Sequence, residues 1–119
     1  MSEFKSGSCH CKAVKFKIEL DDGIGELRRC NCSLCRKKGA VMASVKLDKL
    51  AVIEGKEDLT LYQWNTKVAK HYFCNICGIY THHQRKNAPD EFSFNIACID
   101  GVDVTDGAEI VMLNGVENN

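Results

Sequence analysis

The chain has 119 residues, a length that suits one domain with a modest hydrophobic core. Its 16 basic and 16 acidic residues give a formal net charge of zero, which argues against nucleic acid as a main partner. No apolar run approaches the roughly 20 residues that span a bilayer, and residues 1–7 lack the apolar stretch of a secretory signal. We therefore expect one domain over residues 1–119, located in the cytoplasm, with no membrane partner.

The first predicted element is a half-buried strand over residues 13–20, where apolar and charged side chains alternate. A turn follows, and a single helical turn is predicted over residues 32–38, ending at Gly39. Further strands are predicted over residues 40–47, 50–53, 59–64, 69–73, 78–84, 91–99 and 109–113. Short strands separated by turn residues predict a mainly β, antiparallel domain without a long amphipathic helix.

Eight cysteines in so short a chain indicate either a disulfide framework or metal binding. Thiols that are close in sequence pair poorly with each other but converge readily on one ion, and a reducing compartment keeps thiols free. We therefore favour a small zinc-stapled domain over a disulfide framework. Seven of the cysteines fall into three groups, which are Cys9-x-Cys11, Cys30-x-Cys32-x-x-Cys35 and Cys74-x-x-Cys77.

A closed structural zinc site takes four protein ligands in a tetrahedron, commonly as two pairs that are distant in sequence. Cys9 and Cys11 are predicted to supply one pair, and Cys74 and Cys77 the other. Gly78 gives the second pair the permissive backbone that a tight turn needs. Such a site contributes directly to the free energy of folding.

The middle group supplies three thiols from Cys30, Cys32 and Cys35. Three protein ligands plus one open position is the arrangement of a catalytic zinc, which can bind a thiolate, water or carbonyl and act as a Lewis acid. The alternative is a second structural zinc whose fourth ligand is Cys98 or one of the four histidines. A different division of the seven thiols also stays open.

Basic residues surround the middle group. Their charge can offset the negative charge of three thiolates, or receive the carboxylates of an acidic substrate. The alternative is an ordinary solvated face. The residues concerned are Arg28, Arg29, Arg36, Lys37 and Lys38.

Four other residues carry predictions of their own. Cys98 is predicted to be a small core residue. His71 is either a group that orients a zinc thiolate or an ordinary strand histidine. Tyr62 and Trp64 share one face of their predicted strand and either line a pocket or are core or partly exposed aromatic residues.

The order of these motifs resembles that of a known family. The matching segments are residues 7–11, 30–37, 71–78 and 95–101, so the motif core runs from about 7 to 101. The ordered set C-x-C, C-x-C-x-x-C and C-x-x-C-G is specific. The chain resembles the glutathione-dependent formaldehyde-activating enzyme family, which shares its domain with centromere protein V.

The resemblance implies a small β-architecture of the Mss4-like (β-tent) type. It also implies a carbon–sulfur lyase, S-(hydroxymethyl)glutathione synthase-like activity, in which glutathione or another small thiol adds to formaldehyde or a related aldehyde. Two zinc ions are implied, with glutathione as co-substrate. The implied ligands are Cys9, Cys11, Cys74 and Cys77 for the structural zinc and Cys30, Cys32 and Cys35 for the catalytic zinc.

Two other functions are kept as alternatives. The first is a non-catalytic zinc-binding module of the centromere protein V type, which recognises a macromolecular partner. The run Arg36-Lys37-Lys38 favours it, although nucleic acid is disfavoured by the neutral overall charge. The second is a redox thiol protein that uses Cys98.

Overall fold

The computed structural model describes residues 3–21, 23–63, 69–86, 88–102 and 110–113. Its regular structure consists of ten strands, one short helix, α1 (Ser33–Lys38), and three 3₁₀ turns. No helix in these ranges is long and apolar enough to cross a membrane. The strands are β1 (Glu3–Ser8), β2 (Lys15–Leu20), β3 (Leu27–Cys30), β4 (Met42–Lys46), β5 (Leu50–Glu54), β6 (Leu59–Tyr62), β7 (Lys70–Cys74), β8 (Tyr80–Gln84), β9 (Glu91–Asn95) and β10 (Ile110–Leu113).

The strands form two sheets. The smaller has the order β1-β2-β5, and the larger has the order β10-β3-β4-β9-β8-β7-β6. The mainly β prediction is confirmed. Every pair of neighbouring strands is antiparallel except β10 and β3, which run parallel. The expectation of purely antiparallel pairing is therefore wrong at this edge, because β10 returns to β3 from far along the chain.

One hydrophobic cluster contains side chains from both sheets. Phe16, Ile18 and Leu20 of β2 are buried, as the alternating pattern predicts. They share the cluster with Phe94 of β9 and with Ile96, which follows that strand. The alternation over residues 13–20 thus places one face of the smaller sheet against the larger one.

Several element boundaries differ from the sequence prediction. β1 and β3 were not predicted, because Glu3–Ser8 and Leu27–Cys30 lack a clear apolar alternation. The strand predicted over residues 91–99 ends at Asn95, because the Asn95 side chain accepts a hydrogen bond from the backbone N–H of Ala97 and begins a 3₁₀ turn. Trp64 and residue 109, at the ends of two predicted strands, lie outside the described residues.

Gly55, between β5 and β6, occupies a position that another residue cannot adopt without strain. Its φ is +81°, and a Cβ atom there would meet the backbone carbonyl oxygen of Ala13. We expect Gly55→Ala to lower the free energy of unfolding by roughly 3 kcal/mol, since backbone strain and a rigid clash add.

Gly23 supplies the matched control for this substitution. Its φ is +75°, but a Cβ atom there meets nothing within 4 Å. Gly23→Ala should therefore cost only the strain of the left-handed backbone, about 1 kcal/mol. Denaturant unfolding measures both variants, and equal losses would contradict the close approach of Gly55 to Ala13.

Candidate metal centre

Four sulfur atoms from two distant segments converge in the first cysteine cluster, Cys9, Cys11, Cys74 and Cys77. All four lie within 4.8 Å of one another. The sulfur of Cys11 is 3.6 Å from that of Cys9 and 3.7 Å from that of Cys74. A tetrahedron of sulfurs about 2.3 Å from a zinc ion has edges of about 3.8 Å. The spacing of these thiols therefore fits a four-sulfur zinc site.

Two tight turns hold this cluster. In the turn between β1 and β2, the backbone N–H of Val14 donates to the Cys9 sulfur at 3.4 Å. In the turn between β7 and β8, the N–H of Ile76 donates to the Cys74 sulfur at 3.4 Å, and Gly78, at φ +79°, donates to the Cys74 carbonyl at 2.8 Å. Because β1 and β2 belong to the smaller sheet and β7 and β8 to the larger, the cluster connects the two sheets.

Three sulfur atoms form the second cluster, and they come from one short segment. Cys30 ends β3, Cys32 caps the N-terminus of α1, and Cys35 lies in its first turn. Their sulfurs lie within 4.8 Å of one another. Of the cysteines, histidines and acidic residues that the structure describes, including Cys98 and all four histidines, none joins them. The alternative in which one of those residues is a fourth ligand gains no support.

The second cluster needs a cation to become fully ionised. Burial raises the pKa of Cys35 to about 12; the charge of Lys38 opposes this rise, and Cys32 and Cys30 add to it. A thiol binds a metal only as the thiolate, and a divalent ion stabilises that form directly. A set of three clustered thiols is also the chemistry that zinc prefers. The residues present therefore fit a zinc ion.

A cavity of about 320 Å³ lies along α1, the helix that Cys32 caps and that contains Cys35. None of the three cysteines lines it, but Leu34, between Cys32 and Cys35, does. The volume falls in the range of small-molecule sites, roughly 300–1,000 Å³. The lining residues are Leu34, Lys38, Tyr62, His71, Tyr72, Phe73, Gly78 and Tyr80.

Lys38 brings a half-buried ammonium group to this cavity. Its Nζ lies 3.2 Å from Nδ1 of His71 and 3.6 Å from the centre of the Tyr80 ring. Burial and the nearby Lys38 charge lower the pKa of His71 to about 4, so its ring is neutral at pH 7 and Nδ1 accepts a hydrogen bond from the ammonium. His71 thus supports Lys38, and no pattern in the sequence predicted that contact.

A register shift in the β7–β8 pair brings Tyr80 and His83 together next to Lys38. Phe73 pairs with Tyr80 but Tyr72 pairs with His82, which leaves Thr81 as an extra residue in β8. Tyr80 and His83 consequently lie on the same side, and the Tyr80 hydroxyl lies 2.6 Å from Nδ1 of His83. Burial lowers the pKa of His83 well below its usual value, so the neutral ring accepts this hydrogen bond from the hydroxyl.

The other residues that carried sequence predictions occupy buried, cavity-lining or exposed positions. Cys98 is buried in the hydrophobic cluster, and burial raises its pKa to about 12, which confirms it as a core residue and weakens the redox alternative. Of the five basic residues near the second cluster, only Lys38 lines the cavity. Arg29, Arg36 and Lys37 are exposed. Tyr62 lines the cavity, in agreement with the prediction that it lines a pocket. Trp64, which was part of the same prediction, lies outside the described residues.

The profile of the glutathione-dependent formaldehyde-activating enzyme family matches residues 4–112. The chain belongs to this family. The resemblance inferred from the ordered cysteine motifs is therefore confirmed over nearly the whole chain. Both cysteine clusters lie within the matched residues.

Two other proteins are similar to this chain. A Halomonas elongata protein named "Putative glutathione-dependent formaldehyde-activating enzyme" is 35% identical over 81 aligned residues, and the alignment covers 60% of this chain and 50% of that protein. The chain thus spans about half the length of this curated relative. The crystal structure of a Rhodobacter sphaeroides protein, 48% identical, superposes with a TM-score of 0.86 and covers 90% of this chain and 98% of that one.

Proposed function

We propose that this chain is a zinc-dependent, carbon–sulfur lyase-like enzyme that adds a small thiol, such as glutathione, to formaldehyde or a related aldehyde. One observation carries the proposal. The second cluster gathers three thiols, no fourth ligand comes from the described residues, and a cavity of about 320 Å³ lies along α1, the helix that Cys32 caps and that contains Cys35. A three-thiol zinc site with a neighbouring cavity has both a free coordination position and room for a ligand.

The two clusters have different roles in this proposal. Cys9, Cys11, Cys74 and Cys77 would hold a structural zinc, because four thiols complete its coordination. Cys30, Cys32 and Cys35 would hold the second zinc, which would supply a Lewis acid that favours the ionised form of a thiol.

The protein side chains position the reactants and balance charge. The cavity is walled largely by aromatic rings, which would hold the aldehyde close to the thiol. The Lys38 ammonium offsets part of the negative charge of the thiolates. In the reaction, a carbon–sulfur bond forms, the carbonyl π bond opens, and the carbonyl oxygen takes up a proton equivalent to the one that the thiol releases.

The test of catalysis is the rate at which the zinc-loaded protein forms the thiol–aldehyde adduct. Exchange NMR on glutathione and formaldehyde measures this rate directly, because the adduct also forms without a catalyst. We expect a rate clearly above that background. A background rate with both zinc ions bound would overturn the proposal and favour the non-catalytic module, whose exposed Arg36 and Lys37 on α1 would then be tested for salt-dependent retention on DNA.

We expect the purified chain to bind about two zinc ions that differ in how readily they dissociate. The ion at the second cluster has three ligands from one short segment and should be lost first to a chelator. The ion at the first cluster has four ligands and should leave only as the chain unfolds. Metal analysis with circular dichroism during chelation checks this, and a single zinc population that leaves only on unfolding would contradict it.

A further inference from the structure

The ammonium of Lys38 lacks a carboxylate partner among the described residues, although it is half buried. Its hydrogen-bonding partner is neutral His71, and the face of the Tyr80 ring covers another side. An ammonium has three N–H donors, so these contacts leave donor capacity on the side that lines the cavity. Such a cation is prepared to bind an anionic group.

The position of this ammonium is fixed before any ligand arrives. His71 stacks on His83 with ring centres 4.7 Å apart, and His83 bonds to the hydroxyl of Tyr80. The Tyr80 ring in turn contacts the ammonium from below. A lysine held in one place has already lost the side-chain freedom that a flexible surface lysine loses on binding, which favours affinity.

The rest of the cavity lining is apolar or aromatic. Leu34, Tyr62, Tyr72 and Phe73 form its walls, and no acidic residue occurs among the described lining residues. A thiol that carries a carboxylate on an apolar body therefore matches the cavity.

Lys38 lies on the same helix as the thiol cluster. Cys35 and Lys38 are three residues apart on α1. Residues with this helical spacing are neighbours on one side of a helix. A sulfur held at the cluster and a carboxylate bound by Lys38 can therefore belong to one small ligand.

We infer that Lys38 is a specificity-determining residue, and that it selects small thiols that carry a carboxylate over uncharged thiols. The inference rests on the proposed function and narrows its substrate class. A simpler role for Lys38 is to offset the charge of the thiolates alone. The two roles differ in one measurable respect, because only carboxylate binding distinguishes a charged thiol from an uncharged one.

The test compares 3-mercaptopropionate with 3-mercapto-1-propanol, which has the same sulfur and chain length but no charge. Calorimetry measures their binding to the zinc-loaded full chain and to the variants Lys38→Met and Lys37→Met. We expect the unaltered chain to bind the carboxylate at least about tenfold more tightly, as a charge-assisted hydrogen bond allows. Lys38→Met should reduce this preference to less than about twofold. Lys37→Met, at the exposed neighbouring position, should retain it.

Each outcome decides the inference. Equal affinities in the unaltered chain, or an equal loss for both thiols in Lys38→Met, would overturn it. Lys38→Arg should keep the preference, which guards against a folding defect in Lys38→Met, and zinc content is measured for each variant. A preference without catalysed addition to formaldehyde would remove the proposed function and leave the carboxylate site standing. Binding of neither thiol would overturn the inference, and the exchange NMR assay with glutathione decides the proposed function separately.

Discussion

Serine in place of Cys74 is expected to unfold the chain. The Cys74 side chain is fully buried, and its sulfur belongs to the cluster that connects the turns of the two sheets. Structural zinc contributes roughly 10–16 kcal/mol of apparent binding free energy in small zinc peptides. The net stability of a whole domain is only about 5–15 kcal/mol. Loss of the ion therefore removes most or all of the stability, which thermal unfolding and zinc analysis will show as a lost transition and a lost metal.

Cys98→Ser is the matched control for Cys74→Ser. Cys98 is also a buried cysteine, but it lies outside both clusters, with its sulfur 3.7 Å from the carbonyl oxygen of Tyr80. A serine hydroxyl can donate to the same oxygen, so we expect a loss of only about 1–2 kcal/mol with both zinc ions retained. If the Cys74 variant melted like the Cys98 variant and kept its metal, the first cluster would not be a structural zinc site.

Cys32→Ser is expected to abolish thiol addition while the fold persists. Cys32 caps α1, since its sulfur accepts a hydrogen bond from the N–H of Cys35 at 3.3 Å. Serine is a preferred residue at this cap, so the helix is retained while the thiolate ligand is lost. The three thiols come from one short segment, and losing their ion disconnects no distant parts of the chain. Adduct formation should fall by more than the roughly 10–100-fold that loss of a supporting group around a metal costs.

Comparison with Cys32→Ala separates the ligand from the cap. Both variants should retain about one zinc per chain and lose activity to the same extent. The alanine variant should also lose about 1 kcal/mol of stability, because it cannot cap α1. Zinc analysis, far-UV circular dichroism and the exchange NMR assay give the three readouts. A Cys32→Ser variant with two zinc ions and an unchanged rate would exclude Cys32 from the active site.

Local patterns predicted much of the molecule. The alternation over residues 13–20 predicted a buried face of β2. Cysteine spacing, together with the four ligands that a closed zinc site needs, predicted both thiol clusters. Pairing between strands from distant segments was not predicted. β1 and β3 have weak periodicity, and the parallel contact of β10 with β3 leaves no trace in either segment.

Neither the cavity nor the polar residues that support Lys38 were predicted from the sequence, for a related reason. The shared side of Tyr80 and His83 depends on the extra residue in β8, which changes the faces of the strand and is visible only once pairing is known. Five basic residues near the second cluster looked equivalent in sequence. Lys38 differs from exposed Arg36 and Lys37 because α1 turns that residue toward His71 and Tyr80.

The parallel contact between β3 and β10 has a consequence for biosynthesis. Leu113 pairs with Cys30, and its carbonyl accepts a hydrogen bond from the N–H of Asn31, so the segment that carries the three thiols is fastened by the described strand that is made last. On the ribosome, that segment emerges early and waits for its neighbour while most of the chain is still being translated. We expect a released chain that ends before β10 to fold the hairpin of β7 and β8 normally but to leave the α1 thiols open to alkylating reagents.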